Sequence, residues 1–246
     1  MRCFGIALTL LVACLATANV ARATTFTYSN YSVTNEQGIS IVKPQDIDAG
    51  AGQIVLQGTK ADAGTTLMAW CLDLYDTLEG NKRNQSYTYT VGALTTAGAG
   101  GANPSLSLTQ IGEIGGLILE GDSLLANATN HSSKLVSAAI QIAIWTIEYG
   151  NNFKLSFWND GNLTTLAASY VADIENGVWG LDYGVDLLSG HGNQTLAFID
   201  PNFSNPATPI PGTLGLFGGG LALLALAGWR KRRKQPRAAE MIGIRA

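Results

Sequence analysis

Residues 132–149 carry the sequence SSKLVSAAIQIAIWTIEY, which has the length of a helix. With about 3.6 residues per turn, its apolar side chains cover most directions around the helix axis. Asn130 or Ser132 can cap the first turn, and Gly150-Asn151 can end the last. The stretch therefore predicts a helix over 132–149 that is apolar on nearly every face.

One narrow stripe of this helix differs from the rest. Its members recur at steps of three, four and seven residues, and they are Lys134, Ser137, Gln141, Trp145 and Glu148. A polar stripe of this kind usually faces water. However, Trp145 lies one turn beyond Gln141, where a solvated face would not ordinarily place an indole. The helical wheel leaves both interpretations open, a solvated face and a buried one.

The segments around this helix predict a mixed fold. Five earlier segments have the alternation or the Thr, Tyr and Phe content of strands, at 25–33, 38–42, 53–57, 65–74 and 85–91. Further helices are predicted at 106–119 and 162–175, and short strands at 154–158 and 195–199. A block of strands, an inserted helical block and closing strands predict an α+β domain over residues 24–200.

The composition excludes several classes of protein. The chain has 246 residues, of which 46% are hydrophobic and 13% are charged, so it is neither disordered nor collagen-like. Its net charge of -3 averages an acidic middle and basic ends. Residues 24–205 hold six cations and 17 acids, a formal charge of -11. This acidic middle argues against nucleic acid as a partner.

The first 23 residues have the pattern of a secretory signal peptide. Arg2 precedes an apolar run over 4–18, and Ala21-Arg22-Ala23 has the small-x-small form that signal peptidase accepts. We therefore predict cleavage after Ala23. An alternative is a lipoprotein box that ends at Cys14, which would leave a much shorter apolar region.

The other end has the pattern of a membrane segment. A linker at 201–208 leads to Pro209-Ile210-Pro211-Gly212, and an apolar run over 212–229 follows. A basic cluster comes directly after it, made of Arg230, Lys231, Arg232, Arg233 and Lys234. Such a cluster stays on the cytoplasmic side, so the acidic middle is predicted outside the inner membrane, with 235–246 as a cytoplasmic tail.

The stretch from Pro209 to Lys234 resembles the PEP-CTERM sorting signal of Gram-negative surface proteins. Ile210 stands between the prolines, as in related forms with an aliphatic residue there. The resemblance implies an exosortase-type membrane protease as a partner. It also implies an inner-membrane intermediate that ends at the cell surface or outside the cell. The alternative is an ordinary C-terminal membrane anchor.

Cys71 would be the only cysteine left after cleavage, because Cys3 and Cys14 lie in the signal peptide. A disulfide within the domain is then excluded, although the compartment is oxidising. Two interpretations stay open. The thiol is a small buried side chain, or it is already engaged in a bond, for which Gln141 offers a partner.

A second resemblance concerns this pair. Trp70-Cys71-Leu72-Asp73 and the segment from Ala139 to Trp145 resemble the paired Cys and Gln motifs of bacterial thioester domains on cell-surface adhesins. The resemblance implies a β-sandwich or barrel that carries the Cys, and an inserted helical subdomain that carries the Gln.

The same resemblance implies the chemistry. Cys71 would attack the Gln141 side chain in a self-catalysed step that expels ammonia and needs no cofactor. The resulting thioester would then bind an amine or hydroxyl of a surface or matrix target. Strand alternation would place Asp73 on the same face as Cys71, where it could assist proton transfer.

Two other functions remain open. A cysteine hydrolase or transferase would need Cys71 with His131 or His191 as the base. A noncovalent structural protein of the matrix or biofilm would leave Cys71 inert. One cysteine and two isolated histidines cannot form the usual structural zinc site, so no metal is expected.

Overall fold

The computed structural model describes residues 24–80, 85–157, 159–190 and 192–199. Both predicted ends of the chain lie outside the described residues. They are the signal peptide with Ala21 and Ala23, the linker, the sorting signal with Pro209, Pro211, Gly212 and the basic cluster, and the tail. Within the described ranges, none of the helices combines the length and apolar character that crossing a membrane requires.

Seven strands within the described residues form one antiparallel sheet. They are β1 (Thr24–Lys43), β2 (Ile47–Gly58), β3 (Thr66–Cys71), β4 (Tyr87–Ala93), β5 (Lys154–Leu155), β6 (Asp186–Gly190) and β7 (Asn193–Phe198). The order across the sheet is β2-β3-β7-β6-β4-β1-β5. Since β1 also pairs with β2, six of these strands close into a ring.

Three helices lie between β4 and β6 in the chain, and they are α1 (Leu108–Asn127), α2 (Asn130–Tyr149) and α3 (Gly161–Glu175). Ser107 caps α1 in a capping box with Gln110, and the Asp160 side chain caps α3. Short 3-10 helices occupy Lys60–Asp62 and Gly150–Asn152. The predicted α+β class and the inserted helical block are confirmed.

Some elements differ from the sequence-based prediction. The two strands predicted at 25–33 and 38–42 form the single strand β1, whose register with β2 shifts between Thr34 and Gln37. Asn35 lies at this shift with a positive φ of 58°, a conformation that is common in turns. A sequence pattern typical of a turn therefore lies inside one continuous strand, at an irregularity in its pairing. Strand β6 was missed, and β3 ends at Cys71 instead of Leu74.

Helix α1 also extends further than the predicted 106–119. It continues through Gly121, where an added Cβ would meet Ile140 of α2 at 2.9 Å and the Trp70 ring at 3.4 Å. The absence of a side chain at this position lets α1 and α2 approach each other over Trp70. A glycine that ordinarily weakens a helix is therefore favoured by packing.

The core lies inside the ring of strands and under α1 and α2. Its largest fully buried side chains include Trp70, Trp145, Tyr28, Tyr89, Phe26 and Phe198. Helix α2 packs on β1 and β2 and also on α1 and α3. Because α2 is enclosed in this way, its polar stripe lies against the sheet beside the end of β3.

Candidate functional site

The polar stripe of α2 is buried, so the interpretation as a solvated face is wrong. Ser137 and Gln141 are completely buried, and Trp145 and Glu148 are 1% exposed. Only Lys134, at the start of the stripe, is exposed. The stripe is the polar contact between α2 and the sheet.

Ser137 makes the first of these contacts. Its Oγ accepts from the backbone N–H of Gln53 in β2 (2.8 Å) and donates to the backbone carbonyl of Thr34 in β1 (3.1 Å). Gln53 is buried, and a buried backbone N–H without a partner is costly. Ser137 therefore fixes α2 on the sheet four residues before Gln141.

Gln141 makes the second contact, directly to Cys71. The backbone N–H of Cys71 donates to Gln141 Oε1 (2.9 Å), and Gln141 Nε2 donates to the Cys71 carbonyl (2.8 Å). Strand β2 pairs with β3 only as far as Ala69, so the Gln141 amide takes the place of the next strand residue. The structure thus brings together the two residues that the sequence paired, which lie 70 positions apart.

This arrangement polarises the Gln141 side-chain amide. The Cys71 N–H already donates to Oε1, the atom that gains negative charge when a nucleophile adds to the side-chain carbon. The amide nitrogen, which would leave, is held by the Cys71 carbonyl. The thiol belongs to the same residue that holds both ends of the amide.

The thiol itself is kept neutral. Cys71 is buried, and its Sγ donates to the backbone carbonyl of Asp73 (3.1 Å). Burial raises the pKa of the thiol well above its ordinary value, and the nearby Glu148 and Asp73 carboxylates raise it further. The nearby Trp145 indole has a smaller effect in the opposite direction. Any reaction of Cys71 therefore needs a group that accepts its proton.

The Asp73 side chain has a different partner. Strand β3 ends at Cys71, so strand alternation does not extend to Asp73. Asp73 Oδ1 accepts from the backbone N–H groups of Tyr75 (2.8 Å) and Asp76 (3.3 Å), which is a turn cap. The residue is buried, with 4% of its surface exposed. Its role in proton transfer stays a prediction.

Two residues near the site had no role in the sequence-based prediction. The Tyr149 hydroxyl donates to the Leu72 carbonyl (3.2 Å) and accepts from the Leu74 N–H (3.2 Å). Asp122 of α1 accepts from Trp70 Nε1 (3.3 Å) and from Gln53 Nε2 (2.7 Å). Neither lies in a motif, and only the helical spacing of Tyr149 after Gln141 could have indicated it.

A cavity of about 360 Å³ reaches Cys71 and Trp145 from the surface. Its lining includes the rings of Tyr31 and Tyr75 and three acidic residues, Glu36, Asp48 and Asp76. No Lys or Arg is among the described residues that line it. A small nucleophile, and a cationic one in particular, has a route to the site.

The described residues contain no cluster of His, Cys, Asp and Glu that could hold a metal ion. The side chain of His131 and the whole of His191 lie outside the described residues. The hydrolase interpretation, which needs one of them beside Cys71, stays untested.

Asp122 predicts a pH dependence of stability. Burial raises its pKa from 3.8 to about 6, against the two hydrogen bonds. Between these values the folded protein holds a proton that the unfolded chain has released, so stability falls as the pH rises from about 4 to about 6. Asp122→Asn keeps an acceptor oxygen and should remove this loss, which we expect to be about 2 kcal/mol. Urea unfolding of both proteins at each pH measures it, and parallel pH profiles would contradict it.

The similarity of this chain to known proteins is limited. No protein-family model matches the chain, and no curated protein matches it. Two solved structures are similar to it. The N-terminal thioester domain of a surface protein from Clostridium perfringens has a TM-score of 0.40 and 11% identity, over 60% of this chain and 87% of that one. The N-terminal domain of the Streptococcus pyogenes pilus tip adhesin Cpa has a TM-score of 0.41 and 12% identity, over 72% and 94%. TM-scores of 0.40 and 0.41 are too low to support an argument about fold or chemistry, so both rest on this chain's own residues.

Proposed function

We propose that this chain is an exported surface protein that forms an internal thioester between Cys71 and Gln141 and uses it for covalent attachment. The observation that supports this most is the buried Gln141 amide, whose carbonyl and amino groups are both hydrogen-bonded to the backbone of Cys71. In the first step, Cys71 Sγ bonds to the side-chain carbon of Gln141 and the carbon–nitrogen bond breaks. The thiol proton leaves with the nitrogen as ammonia.

The fold supplies what an unactivated amide lacks. The two hydrogen bonds hold the amide against the backbone of the residue that carries the thiol, which replaces a bimolecular encounter by a fixed geometry. The Cys71 N–H stabilises the charge that develops on Oε1. Trp70, Ile144 and Trp145 are buried around the pair and exclude the water that would hydrolyse the thioester.

In the second step, a nucleophile on a target attacks the acyl group. An amine or a hydroxyl would reach it through the cavity at Cys71, form an amide or an ester with Gln141, and release the thiol of Cys71. The acidic lining of that cavity attracts protonated amines, so we favour an amine as the acceptor. No cofactor or metal takes part in either step.

The location follows from the two ends of the chain. Signal peptidase would cleave after Ala23, and an exosortase-type protease would process the segment from Pro209 to Lys234. The protein would pass through an inner-membrane intermediate, held by the apolar run over 212–229. It would end at the cell surface or in the extracellular matrix, where an adhesin meets its target.

Intact mass spectrometry of the freshly purified full chain tests the first step. Wild type should be lighter than its calculated mass by one ammonia and should take up one methylamine, whereas Cys71→Ala should have its full mass and take up none. A wild type of full mass that never reacts with methylamine would refute the thioester. A noncovalent structural protein of the matrix would then be the better hypothesis. Gln141 would serve only as a hydrogen-bond partner for the backbone of Cys71 at the end of β3.

A further inference from the structure

Unpartnered polar atoms are concentrated beside the Cys71–Gln141 pair. Four buried side-chain atoms have no hydrogen-bond partner among the described residues, and three of them are Trp145 Nε1 and both carboxyl oxygens of Glu148. The other is Thr59 Oγ1. A buried carboxyl group without a donor is among the costliest arrangements in a protein core. Its presence two helical turns from Gln141 calls for a functional explanation.

Helix α2 holds Glu148 against the segment that follows β3. The helix bonds to Cys71 through Gln141, and to Leu72 and Leu74 through the Tyr149 hydroxyl. Glu148 directly precedes Tyr149 and is 1% exposed. Glu148 shares one face of the helix with Trp145 and Gln141, because it follows them by three and seven residues.

The electrostatics agree with this placement. After burial, the Glu148 carboxyl has the largest effect on the pKa of the Cys71 thiol, and it raises that pKa. The pKa of Glu148 is itself raised well above its ordinary value by burial and by Asp73. The titratable groups around Glu148 are therefore Cys71 and Asp73, from the end of β3, and Tyr149 on its own helix. The Asp73 carboxyl group already accepts hydrogen bonds from the backbone of the turn that follows it. The Glu148 carboxyl group has no such partner within the part of the chain that the structure describes.

We propose that Glu148 is the proton-transfer residue of the thioester chemistry, an inference that rests on the proposed function. During formation, the Glu148 carboxylate takes the proton of the Cys71 thiol as sulfur bonds to the Gln141 carbon. It then gives that proton to the amide nitrogen as the carbon–nitrogen bond breaks, so ammonia leaves and the carboxylate is restored. During attachment, Glu148 takes a proton from the attacking amine and gives it to the departing sulfur of Cys71.

The test compares four versions of the full chain: wild type, Glu148→Gln, Glu148→Asp and Glu175→Gln. Glu175 is an exposed carboxyl group at the end of α3 and serves as the matched control. Intact mass gives the fraction of thioester in each fresh preparation. The rate of methylamine uptake is then measured from about pH 5 to about pH 9, a range that covers the titration of a raised carboxyl group.

We expect Glu148→Gln to fold with a melting temperature close to that of wild type, because glutamine has the shape of the protonated carboxyl group that burial favours. Its methylamine uptake should fall about 100-fold, the ordinary contribution of a proton-transfer group. The ratio of the wild-type rate to the variant rate should rise with pH as Glu148 ionises and then become constant. Glu148→Asp should recover part of the rate, and Glu175→Gln should match wild type.

A purely structural role for Glu148 predicts a rate ratio that does not change with pH, and that result would overturn the inference. So would equal rates for wild type and Glu148→Gln. These failures leave the ammonia deficit of wild type intact, whereas failure of the proposed function removes that deficit and overturns both. If Glu148→Gln does not fold, the pH profile of Glu148→Asp decides, because this variant keeps the charge.

Discussion

Replacing Cys71 by alanine should lower the free energy of unfolding by about 5 kcal/mol, which is far more than the loss of one small side chain. The proposed covalent bond between Cys71 and Gln141 would close a loop of 70 residues. Loop-closure entropy assigns about 4 kcal/mol to such a cross-link, and the buried sulfur adds about 1 kcal/mol. The variant keeps the backbone N–H and carbonyl of Cys71, so both hydrogen bonds to Gln141 can still form.

Urea unfolding in amine-free buffer measures this difference. Wild type treated with methylamine is the matched control, because its cross-link is open, with an N-methylamide at Gln141 and a free thiol at Cys71, while no residue is substituted. It should lose about 4 kcal/mol without any mutation. A loss of only about 1 kcal/mol in Cys71→Ala, together with no effect of methylamine, would contradict a cross-link and leave the hydrogen-bonded pair as the whole interaction.

The fold class of this chain can be predicted from local sequence patterns. The continuity of its strands cannot be predicted in this way. The alternation in β2 and β4 and the caps of α1 and α3 are local properties that can be read from the residues. The continuity of β1 through Asn35 depends instead on pairing with β2 on both sides of the irregularity. Nothing within residues 34–37 distinguishes that irregularity from a turn.

The candidate site shows the same division. The motifs paired Cys71 with Gln141, but the helical wheel could not show that the stripe is buried. Its burial depends on packing by distant residues, including the close approach of α1 at Gly121. The direction of the Asp73 side chain depends on where β3 ends, which its partner strands β2 and β7 determine. The missing partners of Glu148 are likewise a property of the whole core.

Gln141→Glu tests the amide itself, and we expect its stability to depend steeply on pH. It is best measured in the Cys71→Ala background, where no cross-link can form. The substitution replaces the Nε2 donor by an oxygen that faces the Cys71 carbonyl. While protonated, the new carboxyl group can still donate to that carbonyl and accept from the Cys71 N–H. Once ionised, its carboxylate oxygen faces the Cys71 carbonyl oxygen, so two hydrogen-bond acceptors meet in a buried site without a donor between them.

The folded protein therefore raises the pKa of the new carboxyl group above that of the unfolded chain, about 4.3. Stability is then close to that of the Gln141 protein at or below this pH, and it is lost as the pH rises through the raised value. The loss at neutral pH should reach about 3 kcal/mol, the cost of an uncompensated buried charge.

Gln141→Met in the same background is the control. Its side chain has a similar length but lacks both hydrogen bonds at every pH, so its loss of stability should not vary with pH in the same way. Parallel pH profiles for the glutamate and methionine variants would show that the amide does not bond to Cys71 as the structure has it. A profile that separates them would show that a carboxylate is not tolerated where Gln141 Nε2, the departing nitrogen, meets the Cys71 carbonyl.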